Sequence, residues 1–364
     1  MPIARRGWRC NGNDLAMTPP TSTQKRALIT GISGQDGILL AELLLSKGYA
    51  VIGFGRQASL VMRNDLKPLL DRITLAYGDL GDSVDIASAV QDHQPHEVYN
   101  LASQSAPGQS WSRSLLTGDI TGMGAHRLYE AVRRFKPSCR VYQASSSEMY
   151  GQVRESPQNE QTPFAPSNPY AAAKVYAHDM ARIYRQSYGM FIACGILFNH
   201  ESIHRGMGFL SQKVTYGAAC IALGIDNSPA LNEQGEPMVR AGKLALGNLD
   251  VSRDWGSAKD YVDAMWRMLQ FDKPEDFVIG TGQLRTIRDL CQIAFAHVGK
   301  DWRDHIVTDP RFVRPSETGP TVADASKARR LLGWTPQVQF DAMIHEMVDA
   351  HVVRLRHARH VGSS

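Results

Sequence analysis

Ala27-Leu28-Ile29-Thr30-Gly31-Ile32-Ser33-Gly34-Gln35-Asp36-Gly37 passes from a short apolar run, read as a buried strand over Ala27–Thr30, into a turn spaced G-x-x-G-x-x-G. A helix is expected over 35–47, with Leu39, Leu40, Leu43 and Leu44 on one face. Such a turn needs glycine where the chain bends sharply, where backbone approaches a pyrophosphate, and where helix packs on strand. The unpaired N–H groups and positive dipole end of the helix then face the phosphates. A glycine triplet alone also occurs in ordinary turns. Between a buried strand and an amphipathic helix it points to a dinucleotide.

The same alternation continues outward. Strands are expected over 49–54, 73–77, 97–101, 140–144 and 191–197, and helices over 83–92, 122–135 and 169–188. This order implies an α/β fold, a doubly wound parallel sheet of Rossmann type. After Phe198 the regularity lapses. Residues 224–243 are polar and turn-rich and read as a surface insertion, and helices resume over 257–270, 287–298, 326–332 and 340–355. The expected plan is a disordered extension (1–24), a cofactor-binding domain (25–198), a smaller, mainly helical substrate lobe (199–350) and a basic tail (351–364). A segment within 257–282, around Phe277–Gly280, is expected to return to the large domain.

Bulk properties exclude several classes. The 364 residues are 43% hydrophobic and 21% charged, and no apolar run approaches the roughly 20 residues of a membrane span. The net charge of +4 sits at the ends: +3 in the first 25 residues and +3 from Arg354, Arg356 and Arg359, leaving −2 between them. That excludes the basic face of a nucleic-acid binder. The five cysteines form no C-x-x-C pair, so neither a metal site nor a disulfide framework is indicated. Reduced thiols fit a cytoplasmic protein.

The second strand ends at Phe54-Gly55-Arg56. A carboxylate there would favour a free ribose 2′-hydroxyl; Arg56 favours NADP over NAD. Gly78-Asp79-Leu80 and Asn100-Leu101-Ala102-Ser103-Gln104-Ser105 also fall at carboxyl ends of parallel strands, where ligands bind. Tyr170 and Lys174 form a Y-x-x-x-K pair, which places both side chains on one helix face. A lysine ammonium beside a tyrosine, together with the positive nicotinamide ring, is expected to lower its pKa from about 10, so that it exchanges a proton with a hydroxyl. Upstream, Ser145-Ser146-Ser147-Glu148 follows a strand. The Ser146 hydroxyl can share that proton. Glu148 reads either as a structural cap or as a carboxylate acting beside the reacting centre, where it suits proton abstraction next to a ketone.

The stretches ITGISGQDG, EVYNLASQS, YQASSSEMYG, NPYAAAK, GILFNHES, RDWGSAKDYV, PEDFVIGTG and RPSE together resemble the GDP-mannose 4,6-dehydratase family, an extended branch of the short-chain dehydrogenase/reductases, from about Lys25 to Ala350. The resemblance implies an NADP-dependent lyase that forms a 4-keto-6-deoxy sugar without external reductant. Tyr170 would deprotonate the sugar 4-hydroxyl as hydride leaves C4, Glu148 would remove the C5 hydrogen, Glu148 or Ser146 would protonate the departing C6 oxygen, and hydride would return to C6. By the same likeness, Gly31, Ser33, Gly34, Gln35, Asp36, Gly37, Arg56, Asp79, Leu80 and residues 101–105 would line the cofactor with His200 and Arg205. Ser105, Asn199, Lys213, Leu246, Gly247, Arg253, Arg314 and Glu317 would hold the nucleotide-diphosphate sugar, and the subunits would form a homodimer or homotetramer.

The chain also departs from the family pattern. Ser146 stands at a usual threonine, Gln57 at the second arginine of an Arg-Arg pair, and residues 224–243 are longer than usual. A GDP-manno-heptose dehydratase, a 4-epimerase or 4-reductase on the same scaffold, and a non-catalytic NADP sensor remain alternative readings.

Overall fold

The structure is a computed structural model and describes residues 24–61, 64–105, 107–313 and 319–361. Residues 1–23, most of the expected extension, lie outside it.

Strands β1 (Arg26–Thr30), β2 (Ala50–Gly55), β3 (Thr74–Tyr77), β4 (Glu97–Asn100), β5 (Arg140–Ser146) and β6 (Ile192–Leu197) alternate with helices α1 (Gln35–Ser46), α2 (Ser83–His93), α3 (Gly124–Phe135) and α4 (Pro169–Tyr188). Later come β7 (Asn199–Glu201), α5 (Leu210–Ala222), β8 (Val239–Arg240), β9 (Lys243–Leu246), β10 (Ser252–Ser257), α6 (Ala258–Gln270) and β11 (Asp276–Ile279). The chain ends with β12 (Leu284–Thr286), α7 (Ile287–His297), β13 (Ile306–Thr308), α8 (Ser326–Leu332) and α9 (Phe340–Val361).

Seven strands form one parallel sheet in the order β11-β6-β5-β4-β1-β2-β3. Successive residues on a strand point to opposite faces, and the core divides accordingly. Ile29, Tyr99 and Tyr142 pack with α1 and α6, while Leu28, Val98 and Val141 pack with α2, α3 and α4. Both faces are covered, as a parallel sheet requires. The order reverses between β1 and β4, which opens a crevice at their carboxyl ends.

β11 lies beside β6, with Phe277 opposite Gly195, so the chain returns to the large sheet near residue 277. The smaller lobe packs α5, α7 and α9 around Leu244, Trp255, Phe295, Ile344 and Met347. It also carries two three-stranded sheets, β12-β10-β7 and β13-β9-β8. These strands are two to six residues long, too short to display a clear alternation.

One boundary needs correction. The stretch read as a basic tail from 351 continues α9 as far as Val361. His351 is buried there and its Nε2 lies 2.6 Å from Gln212 Oε1. Arg354 and Arg359 donate to the carbonyls of Ile203 and Leu223. Docking of the helix on α5 outweighs a polar sequence that ends the apolar pattern at Leu355. No described helix is long and apolar enough to cross a membrane.

Candidate active site

The cradle after β1 depends on two glycines. Gly31 has φ +71°, and a Cβ there would lie 2.8 Å from the Ala102 nitrogen. At Gly37 a Cβ would meet the Gly31 oxygen at 2.5 Å and Ile32 Cα at 2.6 Å. A side chain at Gly31 would strike the backbone that follows β4, and one at Gly37 would push α1 off the loop after β1, so the close packing of the turn requires glycine at both. Gly34 caps α1 without a side-chain hydrogen bond, so the first N–H groups of the helix keep their capacity for phosphate oxygens. Thr30 Oγ1 donates to Asn100 Oδ1 (2.8 Å) and accepts from the Leu101 and Ala102 nitrogens (3.1 Å each), which ties the ends of β1 and β4 together at the crevice. Beyond them, the Gln104 Oε1 is a buried acceptor without a partner, and Ser105 is exposed. These features fit a dinucleotide.

Arg56 ends β2 with its side chain exposed, its Nε 3.9 Å from Asp79 Oδ2 at the end of β3. Asp79 also accepts from Gly81 N at 2.8 Å. Leu80 packs its side chain into the core and offers only backbone to a ligand.

Gln35 and Asp36 face the second half of the chain. The Gln35 amide donates to the His200 carbonyl (3.0 Å) and accepts from Ser202 Oγ (2.9 Å). His200 Nδ1 lies 2.7 Å from the Phe198 oxygen and Nε2 lies 3.0 Å from Asp36 Oδ2. Both neighbours are acceptors, an arrangement that favours the doubly protonated ring. Burial opposes both charges. The attraction nevertheless raises the His200 pKa and, with Arg205, holds Asp36 down to about 2. Tyr261 stacks on the imidazole at 4.5 Å. Arg205 lies over Phe209, 3.6 Å from its ring centroid, with Nε 3.2 Å from Glu201.

Ser146 ends β5, and Tyr170 opens α4 within hydrogen-bond reach of its hydroxyl. Burial pushes the Tyr170 phenol up to about 12, only partly offset by Ser146. Lys174 by itself does not bring it down. Lys174 Nζ donates to the Ala144 carbonyl at 2.6 Å and sits 5.7 Å from the Tyr170 ring centre. Its own pKa falls to about 8 through burial, with Asp36 opposing. Both groups are dry, and desolvation opposes the charged form of each.

Glu148 lies on the short turn after β5, and its Oε2 accepts from Asn168 Nδ2 at 3.0 Å. Asn168 is also the N-cap of α4, accepting from Ala171 N at 2.8 Å. One side chain therefore aims Glu148 and starts the helix that carries Tyr170 and Lys174. Asn168 went unassigned at the sequence level, where only its position before Pro169 could have marked it as a cap.

Glu148 shares a small pocket with Asn199 and Arg253, so the structure unites these expected residues. Lys213 is instead ion-paired with Glu233, from the 224–243 insertion. Leu246 is buried at the end of β9, and a Cβ on Gly247 would meet the Phe312 oxygen at 2.6 Å. Arg314 and Glu317 lie outside the described residues. Among the described residues, His178, Cys194 and Asp276 stand close enough to share a metal. His178 Nδ1 bonds Ser145 (2.9 Å), its Nε2 lies 3.5 Å from Asp276 Oδ2, and Asp276 takes a bidentate Arg185, so these groups already partner one another and their neighbours.

A model of the GDP-mannose 4,6 dehydratase family matches residues 28–347. The chain is 41% identical to the GDP-mannose 4,6 dehydratase of Homo sapiens, over 91% of this chain and 92% of that one. It is 42% identical to the enzyme of that name in Yersinia enterocolitica, over 89% and 93%. Among solved structures it resembles a UDP-glucose 4-epimerase from Thermotoga maritima (TM-score 0.78, 20% identity, 91% and 99% covered). It also resembles a dTDP-glucose 4,6-dehydratase from Streptomyces venezuelae (TM-score 0.77, 23% identity, 92% and 98% covered). At these identities the structural likenesses show the fold.

Proposed function

The chain belongs to the GDP-mannose 4,6-dehydratase family, and on that premise we propose that it converts GDP-mannose to GDP-4-keto-6-deoxymannose. The observation that carries the reading is the Glu148 carboxylate, held by Asn168 beside the Tyr170–Ser146 pair. Alcohol oxidation alone has no use for it; elimination of water does.

The nicotinamide cofactor, when bound, accepts hydride from sugar C4 and returns it to C6. Gly31, Gly34 and Gly37 would admit its pyrophosphate, and the exposed Arg56 cation at the end of β2 supports NADP over NAD. Tyr170 takes the proton of the 4-hydroxyl, with Ser146 sharing the hydrogen bond, and gives it back at the end of the cycle. Lys174, with a pKa of about 8, is cationic at neutral pH and, together with the positive nicotinamide ring when the cofactor is bound, would favour the Tyr170 phenolate against the burial that holds the phenol up. Once C4 is a ketone the C5 hydrogen is acidic. Glu148 removes it and passes a proton to the departing C6 oxygen, so carboxylate and water are restored together. Asn199 and Arg253 face the substrate from the lobe side of the same pocket.

The partner is thus a nucleotide-diphosphate sugar, and the exposed apolar side chains of α3 and α4 support association of the chain with itself as a homodimer or homotetramer. Four buried, unpaired cysteines (Cys139, Cys194, Cys220 and Cys291) support a cytoplasmic enzyme, which cell fractionation checks.

The test is to incubate purified protein, without added reductant, with GDP-, dTDP-, UDP- and CDP-sugars, including a GDP-manno-heptose, and to follow loss of one water by mass spectrometry. GDP-mannose is expected to react, and Glu148→Gln to slow it by about 10²–10⁴-fold. Turnover of a dTDP-sugar alone, or an unimpaired Glu148→Gln enzyme, would sink the reading.

A further inference from the structure

Strands β10 and β12 pair antiparallel, with Arg253 directly opposite Arg285. Residues so opposed share a sheet face, with Cβ atoms about 4.5–5.5 Å apart. The ring contacts agree. Trp255, two residues beyond Arg253, stacks on Phe340 (centroids 5.8 Å, planes 20° apart), and the Arg285 guanidinium lies 5.8 Å from the same ring.

Like charges directly opposite each other destabilise a strand pair. At a half-buried position, water screens that repulsion less than on the surface. Several arginines of this chain have carboxylate neighbours: Arg185 has Asp276, Arg205 has Glu201, Arg267 has Asp263 and Arg288 has Asp250. Among the described residues no carboxylate pairs with Arg285, and its Nε is buried without an acceptor. Arg253, across the strand, lines the pocket that holds Glu148 and Asn199. Two arginines opposed on one sheet face, one of them with an unfilled donor, match a ligand group carrying two negative charges and several acceptor oxygens.

We propose that Arg285 is a substrate-binding residue, the second guanidinium, beside Arg253, of the subsite for the diphosphate of the nucleotide sugar. The inference rests on the reading of the substrate above and adds a residue to it. The phosphates accept from both forks, so Arg285 contributes to recognition of a nucleoside diphosphate over a monophosphate.

Calorimetric titration of the full-length protein with GDP and GMP, alongside thermal melts with and without GDP, tests this. Arg285→Gln is expected to weaken GDP binding by about 10–100-fold, the range of a charge-assisted hydrogen bond, and to narrow the preference for GDP over GMP. NADP affinity should hold, and the ligand-free Tm should stay level or rise as the like-charge repulsion is removed. Arg285→Lys should recover part of the GDP affinity, because it keeps the charge and loses the fork. GDP affinity within twofold of wild type in Arg285→Gln overturns the proposal. So does a lower ligand-free Tm accompanied by an equal loss of NADP binding, the mark of a packing role. If wild type binds UDP or dTDP and not GDP, the GDP-mannose reading fails, and the same comparison with that nucleotide decides Arg285. If it binds no nucleoside diphosphate, both fall.

Discussion

Arg56 sits at the end of β2 with most of its guanidinium in solvent and Asp79 as a distant neighbour. In a dinucleotide crevice, a cation at the end of the second strand favours a ribose 2′-phosphate and a carboxylate favours a free 2′-hydroxyl. Wild type is expected to bind NADP more tightly than NAD. Arg56→Glu should shift that ratio toward NAD by about tenfold or more, the size of one charge-assisted hydrogen bond, read by fluorescence titration. An unchanged ratio would remove the case for NADP. Tyr170 and Lys174 were legible as a pair because four residues make about one helical turn. Their protonation was not. The raised phenol and lowered ammonium come from burial, which depends on what the rest of the chain places over them.

Elements position these groups through their ends. The N-cap of α4 aims Glu148, and the first turn of α1 is locked to β7 by Gln35 and the Asp36–His200 pair. The lock has a defined pH window. His200 has a raised pKa, so its stabilisation is complete below 6.5 and is lost as pH rises through the raised value. Asp36 is held to about 2, so its stabilisation is complete above 3.8 and is lost as pH falls through that lower value. Between 3.8 and 6.5 both are complete. In NMR titrations the His200 midpoint should therefore lie above 6.5 and drop in Asp36→Asn; equal midpoints in the two proteins would contradict the pairing. The long helices and the strands of the large sheet were readable from apolar periodicity. The lobe strands were not, since segments such as Asn199–Glu201 and Leu284–Thr286 complete sheets only by pairing with β10.

At the scale of the molecule, the face formed by α3, α4 and the segment before them leaves apolar side chains in solvent: Trp111, Leu115 and Leu116, Met123 and Phe135, and Tyr176, Ile183 and Tyr188. Leu115 is 89% exposed. Exposed apolar side chains gathered on neighbouring elements are the usual composition of an association surface, and on the proposed reading self-association through one face would give a twofold dimer. Ile183→Asp is expected to shift the sedimentation coefficient from dimer to monomer while the cofactor still binds. A wild-type monomer at micromolar concentration would refute the dimer.

What the sequence determined by itself was local: the glycine turn, because only glycine tolerates φ +71° and a neighbouring backbone atom at 2.8 Å; the parallel sheet, because buried strands alternate with helices; and the Tyr170–Lys174 spacing. The tertiary structure alone brought Asp36 to His200 across 164 positions, set Arg285 opposite Arg253, put Glu233 on Lys213, and let one asparagine both cap a helix and hold Glu148. The physical reason is one of range. Backbone sterics and side-chain periodicity act over a few residues, whereas strand register and packing decide which distant side chains meet.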